Sequence, residues 1–229
     1  MLMKEAREQI VEYGKKLIEE GLTTGTAGNI SIYDDNLKYM AVSPSGIPYE
    51  KTLPEDIVIM DLEGHVIDGA RKPSSEAGLH SVFYQTAPEA RAVVHAHSMY
   101  CTILACMGEP LRSVHYAIAE AGTDEIPLVP YHTFGTPELA QAAGECLKDG
   151  SRGLILANHG MCAWGTDIKS AFGLALTMEW CAQVQWHCMA AGKINVLSHE
   201  QMQGAFKRYM TYGQVKSGEN EGPQGYHSF

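Results

Sequence analysis

The stretch of the chain richest in chemistry is Ala92-Val93-Val94-His95-Ala96-His97-Ser98. Two β-branched residues lead into His-x-His, and in a strand residues two apart share a face. His95 and His97 would then project two imidazoles from one rigid backbone, a pair that suits a divalent transition metal. Two unrelated histidines near a strand end would look the same. Two further segments weigh towards the metal: Pro73-Ser74-Ser75-Glu76 before it and Asn158-His159-Gly160 after it. His159 stands where the apolar run Gly153–Ala157 gives out, a place from which site residues project. Taken alone, it reads as a hydrogen-bonded strand-end histidine. With His95 and His97 it would give three nitrogen ligands and one open position, the layout of a catalytic zinc site. Glu76 also has two readings. A carboxylate in the first turn of a helix is favoured by the helix dipole. The same group could be a fourth ligand that leaves the metal and acts as a base.

Three small-residue loops accompany these groups: Gly25-Thr26-Ala27-Gly28-Asn29, Ser43-Pro44-Ser45-Gly46 and Ser74-Ser75. Each offers hydroxyls and closely approachable backbone N–H groups, by which loops and helix starts hold phosphate without lysine. Each alone is also an ordinary turn or cap. The histidines at 65, 80, 115, 132, 187, 199 and 227 are expected to be surface or structural. The six cysteines form no C-x-x-C, and most lie in apolar segments, so they are expected to be reduced, inert and cytoplasmic.

The elements that must position these groups follow from periodicity. A helix is expected from about Met3 to Glu20, stopped at Gly21. Strands are expected at Ile30–Tyr33 and Leu37–Val42 around an Asp34-Asp35-Asn36 turn, then at Asp56–Asp61 and Gly64–Ile67. Ser74 or Ser75 would cap a helix to about Gln85. Strand Ala92–His97 leads to a helix over Tyr100–Met107. Residues Leu111–Pro130 are ambiguous, with an edge strand over Ile126–Pro130. Thr136 would cap a helix ending near Asp149, followed by strand Gly153–Ala157 and its hairpin partner Cys162–Trp164. Thr166 would cap a long helix to Ala191, and Ser198 with Gln201 resembles a capping box for a last helix reaching Tyr209.

Helices on both faces of a mixed, largely antiparallel sheet are expected. There is no G-x-G-x-x-G after a strand, which speaks against a Rossmann fold. A chain of 229 residues suits one domain. It is expected to span residues 1–213, with a polar, Gly-rich tail at 214–229 that is mobile or orders against a neighbour. The net charge of −10 argues against nucleic acid and anionic membranes, and no apolar run approaches a membrane span.

Taken together and in order, Gly21-Leu22-Thr23-Thr24-Gly25-Thr26-Ala27-Gly28-Asn29-Ile30-Ser31, Pro44-Ser45-Gly46-Ile47-Pro48-Tyr49-Glu50-Lys51, Lys72-Pro73-Ser74-Ser75-Glu76, Val93-Val94-His95-Ala96-His97 and Asn158-His159-Gly160 resemble the class II aldolase/adducin-head family. The likeness is greatest to its L-fuculose-1-phosphate aldolase branch and runs from about Glu5 to Tyr212. The resemblance implies a three-layer αβα sandwich and a zinc-dependent aldolase. Such an enzyme reversibly cleaves a ketose 1-phosphate to dihydroxyacetone phosphate and an aldehyde. L-fuculose 1-phosphate or a related 5-deoxy- or 5-methylthio-pentulose 1-phosphate is the implied substrate. It also implies a C4 homotetramer with sites at subunit interfaces. By motif, His95, His97 and His159 match the zinc ligands, and Glu76 matches the carboxylate that leaves zinc to serve as acid and base. Thr26, Asn29, Ser45, Gly46, Ser74 and Ser75 match the phosphate cradle. Tyr116 matches a tyrosine lent to the neighbouring subunit's site, and a second tyrosine is Tyr209 or Tyr212. The same family includes ribulose-phosphate 4-epimerases, sugar-acid phosphate decarboxylases and non-catalytic adducin-like domains. The epimerase pattern has Asp where this chain has Glu76, and the adducin-like domains lose the ligands that this chain keeps.

Overall fold

A computed structural model describes residues 1–209. The chain opens with α1 (Lys4–Glu19), which buries Ile10 and Leu17. Gly21, at φ 69°, ends it as expected. β1 (Asn29–Asp34) and β2 (Tyr39–Val42) form the first hairpin. The Asp34 carboxylate accepts from the N–H groups of Asn36 and Leu37, so the turn runs longer than expected. Leu37 therefore belongs to the turn and not to β2. β3 is only Val58–Met60. Asp56, expected in that strand, closes a 3₁₀ turn over Pro54–Asp56 and accepts from the Leu53 N–H at 3.0 Å.

β4 (Val66–Asp68) leads to α2 (Ala77–Thr86), β5 (Ala92–Ala96) and α3 (Met99–Met107). The ambiguous region resolves into β6 (Leu111–Arg112), a 3₁₀ turn (Tyr116–Ala121), β7 (Glu125–Ile126) and β8 (Leu128–Val129). Pro127, which has no N–H to give a ladder, separates β7 and β8 into different sheets. α4 (Pro137–Leu147), β9 (Gly153–Leu156), β10 (Gly160–Gly165), α5 (Ile168–Ala190) and α6 (His199–Tyr209) complete the described chain.

Two helix N-caps were legible and two were not. The Thr136 hydroxyl accepts from the Leu139 N–H, and Ser198 and Gln201 form the expected reciprocal box. α5 is capped by Asp167 rather than Thr166: its carboxylate accepts from the Ser170 N–H at 2.7 Å. Neither Ser74 nor Ser75 occupies the cap position of α2; Glu76 does, without a side-chain capping bond. Glu76 thus stands at the threshold of the helix, one position ahead of its first turn.

The main sheet has eight strands in the order β4-β3-β2-β1-β5-β10-β9-β8, antiparallel except for β8 against β9. Helices α1, α3 and α5 cover one face, where Ile10, Leu104 and Leu174 pack with Ile30, Val94 and Ile155. Helices α2 and α4 cover the other, where Phe83 and Leu139 pack with Met40, Val93 and Leu154. Val93 and Val94 go to opposite cores, as period two requires. Burial on both faces is why β5 is apolar at four of its five positions rather than alternating. The expected αβα sandwich with a mixed, largely antiparallel sheet is the observed fold. The tail at 214–229 and Tyr212 lie outside the described residues.

Candidate metal centre and substrate cleft

β5 lies at the middle of the sheet, and the site is built at its C-terminal end. Asn29 of β1 stands opposite His95, as does Cys162 of β10. His95 is fully buried, and its Nδ1–H donates to the Met161 carbonyl at 2.9 Å. That bond turns Nε2 toward Glu76 and His97. His97 follows just past the strand, and its Nε2 lies 3.0 Å from His95 Nε2. His159 sits in the β9–β10 turn, after Asn158 at φ 55°. The three rings stand at 71–74° to one another with centroids 4.8–4.9 Å apart.

Glu76 closes the group from above. Its Oε2 lies 3.2 Å from His95 Nε2 and its Oε1 3.3 Å from His159 Nε2. Burial works against ionisation of Glu76, but His95, the Asn29 amide and His159 together hold its carboxyl well below the usual range. Burial also pushes His97 and His159 down, each to about 4, whereas against its own burial His95 is pushed up by Cys162 and Glu76.

This arrangement fits a divalent cation. Donor atoms of Glu76, His95, His97 and His159 all lie within 4.8 Å of one another. Glu76 Oε1 is buried and accepts no hydrogen bond. Imidazole nitrogens facing each other at 3.0 Å, beside an orphaned carboxylate oxygen, repel unless a cation or proton lies between them. Three nitrogens and one oxygen form a donor set suited to a borderline-soft ion.

Glu76, His97 and His159 open onto a cleft of about 340 Å³. All six residues expected to hold phosphate line it: Thr26, Asn29, Ser45, Gly46, Ser74 and Ser75. Two of the loops are pinned together, since Ser45 N–H donates to Lys72 O and Ser74 N–H to Ser43 O, each at 3.0 Å. Gly28 requires its lack of a side chain. It adopts φ 73°, and a Cβ there would lie 2.7 Å from the His95 carbonyl oxygen. No lysine or arginine lines the cleft among the described residues. Asn29 uses its amide in both directions. Nδ2 donates to Glu76 Oε2 at 2.9 Å, and Oδ1 meets His80 Nε2.

Sequence reasoning missed two contributors. Tyr131, His132 and Phe134 line the cleft from the segment after β8, with both aromatic rings more than half exposed. No periodicity marks that loop. His80, expected to be surface or structural, is fully buried against Asn29 and Ser31. Its signal was available: it lies four residues after Glu76, one helical turn along.

Tyr116 is not brought to the cleft of its own chain. It is half exposed and lines a separate apolar groove with Gly173, Leu176 and Trp180. The Tyr209 ring lies 6.4 Å from it, centroid to centroid. Burial pushes the Cys101, Cys146, Cys162 and Cys181 thiols up, the last to about 12. No described helix is long and apolar enough to cross a membrane.

The sequence profile of the Class II Aldolase and Adducin N-terminal domain matches residues 8–186. The chain belongs to this family. Within it, the chain is 45% identical to a 5-deoxy-D-ribulose 1-phosphate aldolase of Bacillus thuringiensis serovar kurstaki, over 93% of this chain and all of the relative. It is 36% identical to a 5-methylthioribulose-1-phosphate/5-deoxyribulose-1-phosphate aldolase of Rhodospirillum rubrum, over 90% of this chain and 92% of that one. A solved L-fuculose 1-phosphate aldolase superposes with a TM-score of 0.88 at 39% identity, covering 91% of this chain and 98% of that one. The relatives at this level are aldolases, and this class II aldolase is accordingly an enzyme of the carbon–carbon lyase type.

Proposed function

We propose that this class II aldolase uses zinc to cleave a ketose 1-phosphate reversibly to dihydroxyacetone phosphate and an aldehyde. A 5-deoxy- or 5-methylthio-pentulose 1-phosphate is the preferred substrate class, with L-fuculose 1-phosphate as the alternative. The observation that carries the reading is one cleft holding a Glu76–His95–His97–His159 donor set at one end and neutral loops at the other. The full-length relative at 45% identity supports the deoxypentulose choice.

His95, His97 and His159 would hold the ion, with Glu76 as an exchangeable fourth ligand. When bound, zinc supplies Lewis-acid polarisation of the ketose carbonyl and the adjacent hydroxyl. The chain's own residues do the rest. Thr26 and Asn29, the Ser45-Gly46 turn and the Ser74-Ser75 pair hold the phosphate through hydroxyl, amide and backbone N–H donors. Phosphate binding energy thereby sets the register of the carbon chain. Tyr116 of a neighbouring subunit accepts the C4 hydroxyl proton as the C3–C4 bond breaks, and Glu76 delivers a proton to C3 of the three-carbon fragment. The half exposure of Tyr116, outside its own cleft, supports a C4 homotetramer with sites at subunit interfaces. Domain limits of 1–213 with a separate tail, and a cytoplasmic setting, complete the proposal; six free thiols support the latter.

The test is turnover on a panel of ketose 1-phosphates, measured as dihydroxyacetone phosphate released, alongside metal analysis. About one zinc per chain is expected, with activity lost on chelation and restored by zinc. Full activity in metal-free protein would sink the proposal.

A further inference from the structure

A buried chain of polar groups runs behind Glu76. The Tyr84 hydroxyl lies 2.6 Å from Ser31 Oγ, and Ser31 Oγ lies 2.6 Å from His80 Nδ1. His80 Nε2 meets Asn29 Oδ1, and Asn29 Nδ2 lies 2.9 Å from Glu76 Oε2. All five side chains belong to residues less than one-tenth exposed, and Ser31 and His80 are sealed completely.

Hydrogen-bond valence sets the direction of the chain. An ionised carboxylate only accepts, so Asn29 must present Nδ2–H to Glu76. Its Oδ1 then faces His80, whose Nε2 must carry a proton. A neutral imidazole protonated at Nε2 has a bare Nδ1, which accepts from the Ser31 hydroxyl. Ser31 in turn accepts from Tyr84. No member can reverse without leaving a buried polar atom unpaired, a cost that rises in a dry interior.

We propose that His80 is a positioning residue: through Asn29 it fixes the side chain of Glu76, anchoring Oε2 and leaving Oε1 as the oxygen that handles the proton. This rests on the aldolase reading for the role of Glu76, but the relay itself is a statement about geometry. The pattern at Glu76 supports the division of labour. Oε2 is held by a fixed amide, whereas Oε1 is buried, accepts no hydrogen bond and faces His159. His80 touches neither the substrate cleft nor the other ligands' donor atoms; its ring partners are Asn29 and Ser31. Burial holds its imidazole neutral, consistent with the required tautomer.

The test uses zinc-loaded enzyme and dihydroxyacetone phosphate in deuterium oxide. Exchange of the carbon-bound hydrogen that Glu76 handles needs neither the aldehyde nor Tyr116. His80→Leu should slow this exchange and kcat on the order of ten- to a hundred-fold, the effect of one lost bond to a charged group. Zinc content should hold, and the loss in kcat should exceed any rise in KM. His80→Gln, which keeps an N–H donor, should recover most of the rate. In an Asn29→Ala background, His80→Leu should add nothing, because its effect passes through Asn29. If His80→Leu fails to fold, Ser31→Ala opens the relay without altering the ring, and the same slowing of kcat beyond any rise in KM is expected. Nitrogen-15 spectra of histidine-labelled enzyme should show His80 protonated at Nε2 with Nδ1 bare. Wild-type exchange rates in folded His80→Leu or Ser31→Ala, or additive slowing beside Asn29→Ala, would overturn the relay. So would an Nδ1-protonated His80. A wild-type enzyme that exchanges no hydrogen would instead sink the aldolase reading, with the tautomer still deciding the relay.

Discussion

Gly28→Ala provides a direct test of how the first loop and the central strand build the site. Two costs can be separated. The residue sits at φ 73°, where a Cβ is strained by roughly 1–2 kcal/mol. That Cβ would also lie 2.7 Å from the His95 carbonyl oxygen, whereas ordinary contact begins at 3.4 Å, so the strand or the loop must give by about 0.7 Å. Forcing such a contact into a packed interior costs typically 1–3 kcal/mol. Gly25 in the same loop is the control. It adopts φ 65° but has nothing within 4 Å of its would-be Cβ, so Gly25→Ala carries only the backbone cost. Urea denaturation should therefore show Gly25→Ala destabilised by about 1–2 kcal/mol and Gly28→Ala by roughly 2–5 kcal/mol. Metal analysis should show Gly25→Ala near wild type and Gly28→Ala depleted, because the displaced backbone carries His95. Equal destabilisation and equal metal content in the two variants would refute the claim that Gly28 allows β1 to approach β5.

Glu76→Gln keeps the shape of the side chain but removes the base, and kcat should fall on the order of 10²–10⁴; comparable kcat would exclude that role. His95→Ala or His97→Ala should lose metal and turnover together, and metal analysis of an active variant would contradict the ligand assignment. Mixing inactive Tyr116→Phe and Glu76→Gln subunits should restore some activity where one interface holds both intact groups. Strictly inactive mixtures, with subunit exchange verified, would place Tyr116 outside the neighbour's site. Burial lowers His80 from its ordinary 6.5 to about 3, so between those values the unfolded chain binds one more proton there than the folded chain. Wild-type stability should thus rise with pH across that window by about 1.4 kcal/mol per unit from this site and gain nothing more from it above about 6.5. His80→Gln should lack this component of the slope, and identical pH dependence in urea denaturation would exclude it.

The parts of the site that share a strand were legible because strand spacing is a local rule. His95 and His97 announce themselves two residues apart, and the apolar run before each histidine segment marks its strand. Local turn chemistry was legible where side chains reach only a few residues, as at Thr136 and Ser198. It failed at Asp56 and Leu37, where an apolar run looked like strand but a nearby carboxylate organised a turn instead. His80 was legible only in part, through its place one helical turn after Glu76. Its partner Asn29 lies 51 residues away on β1, across β2, β3 and β4, so no local spacing joins the two. The aromatic side of the cleft, Tyr131 and Phe134, sits on a loop whose course is set by tertiary contacts, so no pattern in the chain foretold it.

The placement of β5 between β1 and β10 carries a consequence for how the molecule forms. Its partners, Asn29 on one side and Cys162 on the other, are each more than sixty positions from His95 along the chain. Contacts of such long range close late, because loop entropy must be overcome before they return anything, and topologies rich in them fold slowly. Glu76, His95, His97 and His159 therefore cannot surround an ion until the centre of the sheet has assembled. Metal uptake during refolding should accordingly follow sheet formation rather than seed it, so that the bound ion acts as a clock for the last step of folding and a lock on its product.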